Sequence, residues 1–522
     1  MNSLNLRFAL GLAVLATASS AASAALKLGS PFGDHMVLQQ GRPVPIWGTA
    51  SPGETVTIAC AGQVVSAQAG ADGRWLARLA PLSLGAPQEL SASSGTERIT
   101  LEDILVGEVW LASGQSNMEF SVSKKVKYFA GATNEEQEIA AAKYPQIRMF
   151  TGDMVKSNEP QAAIGGAWKV CSPETVPAFS AIGYFFARDL QRVLNVPIGI
   201  INESYGASTA EAWVQRETLA ADPDLQPMLG RYDAAYSKFK SDPDAAARYA
   251  AARKAYQAAA AEARAAGKRA GRPPRDPDPS QDQHSPTVLF NAMIEPVLPY
   301  ALRGAIWYQG ESIVGGAPGV ALYPKVQAAL VRNWRQRWGE GDFPFYIVQL
   351  AAQDASSNSP EVRAAQAMIL SLPNTGMAVT VDIGEKKNVH PHDKQDVGDR
   401  LSRIALAQAY GRDVEWSGPA YAGLAAEGDA LRVSFARQGG GLVAHGGELQ
   451  SFEIAGADGK FVPAEARIEG ETVVVRSPAA PAPRAVRYAW ADYPQGCNLY
   501  NTSDLPAAPF SAALPAPGNN GN

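Results

Sequence analysis

A chain of 522 residues with 46% hydrophobic and 19% charged residues has the balance of a folded globular protein, not of a disordered or collagen-like one. Its length leaves room for roughly three or four domains. A net charge of −5 leaves no basic footprint, which argues against nucleic-acid binding, and three cysteines in so long a chain make no disulfide scaffold.

The first 24 residues read as a secretory signal peptide. Arg7 is the only charged residue before a short apolar run, Phe8–Thr17, and Ala22-Ser23-Ala24 has the small side chains of a cleavage site. The run is too short for a comfortable membrane span, and no later stretch reaches 18 uninterrupted apolar residues. The expected mature chain begins near Ala25 and is soluble, periplasmic or secreted.

Residues 25–105 read as short strands: Val37–Gln39, Val44–Trp47, Thr55–Ile58 and Trp75–Leu79. Turn signals such as Ser51-Pro52-Gly53 separate them, which predicts a small β-sandwich. From Val106 to about residue 412 the pattern alternates. Strands are predicted at Glu108–Ala112, Gln146–Phe150, Pro197–Asn202, Gly304–Tyr308, Pro344–Gln349 and Met377–Asp382. Helices are predicted at Ala181–Leu194, Tyr323–Trp338 and Val397–Tyr410. This is the α/β pattern of a parallel sheet with helices on both faces. Residues 214–283 interrupt it with an Ala-, Arg- and Lys-rich helical insertion centred on 245–266. Residues 413–515 are β-rich again, and 516–522 read as a disordered tail.

In such a sheet the chemistry gathers at the carboxyl ends of strands. Ser116 follows the strand Glu108–Ala112 and the turn Ser113-Gly114-Gln115. There its Oγ can face a substrate beside unpaired N–H groups of the turn; a helix cap is the other reading. A serine nucleophile needs a base, and the chain has five histidines, His35, His284, His390, His392 and His445. His390 follows the run that ends at Asp382 and precedes a helix, so it too lies at a strand's carboxyl edge. Gly206 and Gln309 follow two further strands, as a backbone N–H and a side-chain amide that could donate. No acid or cysteine cluster accompanies the His390-Pro391-His392 pair, so no metal site is predicted.

The stretches "GEVWLASGQSNME", "WYQGES" and "VHPHDKQDVGDRL", with the opening "PFGDHMVLQQGRPVPIWGTASPGE", resemble the sialate O-acetylesterase family within the SGNH-hydrolase, flavodoxin-like group. The resemblance runs from about Ser30 to about Phe510. It implies Ser116 as nucleophile and His390 as general base and acid. It also implies an oxyanion hole made of the Ser116 N–H, the Gly206 N–H and the Gln309 side chain. Hydrolysis of an acetyl ester on a sugar hydroxyl follows, without metal or organic cofactor. The group also includes acetylesterases of plant polysaccharides such as xylan, so acetylated hemicellulose and O-acetyl sialic acid are the two substrate classes implied.

One feature departs from the group's pattern. Many members carry the triad's acid three residues before the histidine, but position 387 is Lys. Asp382, Glu385 and Asp393 are the nearest acids; Asp382 is the candidate to orient His390, with Glu311 or a backbone carbonyl as alternatives. Glu311 and Trp213 are candidate substrate contacts, with Trp307 and Tyr308 as further aromatics that could meet a sugar ring. Two other functions compete: a hydrolase of lipid or aryl esters, which predicts an open apolar groove, and a noncatalytic sugar-binding protein on a hydrolase frame, which predicts a Ser116 with no base in reach.

Overall fold

A computed structural model describes residues 25–313, 319–354, 359–437 and 439–515. The expected signal peptide, residues 1–24, and the tail beyond 515 lie outside the described residues. The chain is a mixed α/β protein: one large mixed sheet with helices, and antiparallel sheets before and after it.

The centre of the large sheet is β1 (Glu97–Gly114), one 18-residue strand. Its first half pairs antiparallel with the N-terminal strand Gln88–Ser94, and its second half lies in the central sheet. The boundary expected at 105/106 thus falls inside a continuous strand, because an extended strand can serve two sheets in succession. Among the N-terminal strands Arg74–Leu79 alternates, with every second residue buried.

The other central strands are β2 (Tyr144–Gly152), β3 (Gly166–Cys171), β4 (Ile198–Ser204), β5 (Gly304–Tyr308), β6 (Phe345–Val348) and β7 (Thr375–Ala378). Their order is β3-β2-β4-β1-β5-β6-β7. All neighbours are parallel except β3, an antiparallel edge strand on β2 that the sequence pattern did not announce. Trp110 and Ala112 of β1 pack into a core with the helices α2 (Ala181–Leu194) and α4 (Gln395–Gln408). Val109 and Leu111 pack into another with α3 (Tyr323–Trp338). Both faces of β1 are therefore covered, which explains its unbroken apolar run.

The predicted helix boundaries at 181–194 and 323–338 match α2 and α3 to the residue. The insertion is helical at Arg216–Ala221, Gln226–Lys240 and Ala245–Ala265. Strand β7 is shorter than the predicted Met377–Asp382. After Ala378 the chain leaves the ladder: Thr380 Oγ1 donates to the Gln349 carbonyl and the Val379 carbonyl accepts from Arg400. Cys60, Cys171 and Cys497 are all free thiols, so Cys171 and Cys497 form no bridge. No helix among the described residues is long and apolar enough to cross a membrane.

Candidate active site

The chain reverses its direction of winding at β1, which lies between β4 on one side and β5 on the other. Such a switch opens a crevice at the strands' carboxyl ends. The parallel register sets what stands there. Gly114 ends β1 opposite Ser204 of β4 and Tyr308 of β5. Two residues past Gly114 is Ser116, two past Ser204 is Gly206, and one past Tyr308 is Gln309. Gly114 sits at φ +135°, and a Cβ there would fall 2.1 Å from the Tyr308 carbonyl oxygen, so only glycine lets β5 approach so closely.

Ser116 opens a four-residue helix, α1 (Ser116–Glu119), whose N-cap is Gln115. Its hydroxyl does not cap the helix. It meets His390 instead, with 2.8 Å between Oγ and Nε2. His390 is brought in by the loop between β7 and α4. Asn388 fixes that loop, accepting from the His390 N–H at 3.0 Å and donating to its carbonyl at 2.8 Å. Phe129 lies against the imidazole, ring centroids 4.7 Å apart. Burial, then the charges of Lys394 and His392, push His390 down to about 4, so it is neutral and able to accept a proton over most of the pH range.

The backbone N–H groups of Ser116 and Gly206 donate no hydrogen bond among the described residues. Gly206 is close to Ser116: a Cβ there would lie 3.7 Å from Ser116 Cβ and 2.8 Å from Glu119 Oε2. Gln309 is fully buried. Tyr323 donates to its Oε1 at 3.0 Å, which fixes the amide's orientation, and one of its Nε2 hydrogens goes to the Ser208 carbonyl at 3.2 Å. The second Nε2 hydrogen is left for a ligand.

The acids do not converge on His390. Asp382 pairs with both ends of the Arg400 guanidinium at 2.7 Å and accepts from Tyr500 at 3.0 Å. Its expected place at a strand end is lost because β7 stops at Ala378. Glu385 binds His392 and Asn388, and Asp393 accepts from the Asp396 N–H in the first turn of α4. Glu311 accepts from Asn117, and its Oε2 is shut off from solvent. Among the described residues the Nδ1 of His390 has no hydrogen-bond partner.

Trp213 does not line the site as a substrate contact. It is fully buried and donates to Ser208 Oγ at 3.0 Å, stacked edge-on against Trp307. Trp307 and Tyr308 are buried as well. None of the three can meet a sugar ring. The exposed aromatic near the site is Tyr128, 95% exposed, whose ring touches Phe129 at a centroid distance of 5.5 Å. Asn117 and Lys394, both buried at the site, were likewise not singled out in the sequence.

Fold and site together define an α/β protein with a serine–histidine pair at the carboxyl edge of its sheet. The family model for carbohydrate esterases described as sialic acid-specific acetylesterases matches residues 283–407. Sialate O-acetylesterase from Rattus norvegicus is 30% identical over 96% of this chain and 97% of its own length, and that from Homo sapiens 29% over 97% and 96%. A crystal structure of a carbohydrate acetylesterase from Xanthomonas citri superposes with a TM-score of 0.78 at 34% identity, covering 93% of this chain and 99% of the other. This chain belongs to the sialate O-acetylesterase family and is a carboxylic ester hydrolase.

Proposed function

We propose that the protein is a secreted carbohydrate O-acetylesterase of SGNH type, working through a Ser116–His390 dyad on acetylated hemicellulose or O-acetyl sialic acid. The observation that carries this reading is the 2.8 Å contact between Ser116 Oγ and His390 Nε2 beside unpaired donors at the sheet edge. A noncatalytic frame would not keep a base on its serine.

In the first half-reaction Ser116 Oγ bonds to the acetyl carbon while its proton passes to His390 Nε2. The carbonyl oxygen becomes an oxyanion, and the donors in place for it are the Ser116 and Gly206 N–H groups and the free Gln309 Nε2 hydrogen. The sugar oxygen then leaves with the proton from His390, and acetyl-Ser116 remains. Water gives a proton to His390, attacks the acetyl carbon and releases acetate, returning the proton to Ser116. No other group is needed to balance either half. In this reading Tyr128 is the aromatic face for a sugar ring, since it is exposed and its neighbour Phe129 rests on the catalytic imidazole. Export would follow from the leader-like residues 1–24.

Acetate release from acetylated xylan or xyloglucan fragments and from O-acetylated sialic acid, by wild type and by Ser116→Ala, tests the reading. Release from one class by wild type and its loss in the variant is the expected result; equal release by both proteins would remove Ser116 as the nucleophile.

A further inference from the structure

His390 lacks a carboxylate on Nδ1, yet its ring is held in line with Ser116. The restraint comes through the backbone. Asn117, next in the chain to Ser116, donates to the carbonyl of Val389 at 2.9 Å. Lys394 Nζ donates to the carbonyl of Pro391 at 2.5 Å and to Asn117 Oδ1 at 2.8 Å. The two carbonyls flanking the base in sequence are thus tied to the residue that follows the nucleophile. Asn117 also donates to Glu311, which steadies the other end of the network on the loop after β5.

Lys394 is the unusual member. It is fully buried, and its ammonium touches no carboxylate among the described residues. It lies over the ring of Phe120 at 4.4 Å. Burying an ammonium is costly, and a role limited to filling space would be met by Met or Leu at lower cost.

We infer that Lys394 and Asn117 are positioning residues for His390, clasping its two neighbouring carbonyls to the nucleophile's helix and holding the base by restraint of its loop where related enzymes use an acid. This rests on the Ser116–His390 reading above. The clasp carries a positive charge beside the imidazole. Among the groups that act on Lys394, Glu311, Glu385 and Asp393 favour its charge, while burial lowers it to about 7. His390 is acted on by Lys394 and His392, both of which oppose the imidazolium. Near pH 4, where His390 titrates, Lys394 is fully charged, so its charge is felt where the acid limb of the rate profile is read.

The test is a pH profile of kcat and KM on p-nitrophenyl acetate for wild type, Lys394→Met, Lys394→Gln and Asn117→Ala, each checked for folding by circular dichroism. Misplacing a catalytic group by an ångström costs about 10²-fold. Lys394→Met is expected to lose kcat by about that factor with KM little changed, and to shift its acid limb to higher pH as the repulsion disappears. Lys394→Gln should recover part of kcat through its donor and keep the raised limb. Asn117→Ala should lose kcat with the limb unmoved, because the charge stays; it carries the test if Lys394→Met does not fold. Folded variants with wild-type kcat, or a Lys394→Met whose limb does not move, would overturn the inference. Absence of turnover in wild type would overturn the esterase reading itself.

Discussion

Ser116 Oγ and His390 Nε2 lie 2.8 Å apart across 274 residues of sequence. One is delivered by the end of β1 and the other by the loop after β7, so the pair exists only once the whole sheet has formed. Its chemistry can be probed one group at a time.

Gln309 should contribute to the transition state more than to binding. Its amide is oriented by Tyr323 and Ser208 before any substrate arrives. Gln309→Ala should lower kcat by about 10²–10³-fold with a small change in KM. Steady-state kinetics on an acetyl ester check this; a loss confined to KM would remove Gln309 from the oxyanion hole.

The acid limb of kcat/KM should fall near pH 4. In the proposed mechanism His390 must be neutral to take the serine proton, and burial, then Lys394 and His392, hold it down to about 4. As pH drops through that value the base is protonated and the rate declines. An ordinary histidine would place the limb near 6.5, and a limb at or above that value would point to an acid partner on His390.

Asp382 should matter for stability and not for the base. It is almost fully buried against Arg400, with Tyr500 on the same carboxylate. Asp382→Ala leaves the guanidinium without its main partner and should cost about 3 kcal/mol, measured by denaturant unfolding. The acid limb of the folded variant should stay where it is in the wild type; a shifted limb would restore Asp382 to the catalytic group.

Tyr128 should discriminate between substrates. Tyr128→Ala is expected to leave turnover of p-nitrophenyl acetate unchanged and to raise KM for an acetylated oligosaccharide roughly 3- to 10-fold, the size of one aromatic face contact. Tyr128→Phe should behave as wild type. Equal kinetics on the oligosaccharide for Tyr128→Ala would exclude the contact.

Much of the site was legible in the sequence because parallel strands announce their own ends. Ser116, Gly206 and Gln309 each follow an apolar run that breaks at a small or polar residue, and the register then brings the three together. Asp382 misled for the same reason. Met377–Asp382 reads as strand, but the backbone past Ala378 is taken by Arg400 and the side chain of Thr380 bonds to Gln349, so the run ends early. Trp213 misled because an aromatic residue near a site has the same letter whether it faces solvent or Trp307. Lys394 and Asn117 left no local signal: their roles depend on where the loop after β7 returns to α1, which is a matter of tertiary structure. The edge strand β3 was missed because Gly166–Cys171 alternates only weakly and opens on a glycine.

In the proposed mechanism Ser116 carries the acetyl group between the two half-reactions. The most direct test is mass spectrometry of the peptide containing Ser116, after the enzyme is mixed with an activated acetyl ester and quenched in acid during turnover. The expected peptide is heavier by one acetyl group, carried on Ser116, and the same peptide from His390→Ala carries none. Full turnover with no acetylated peptide, or an acetyl group on a different residue, would contradict it.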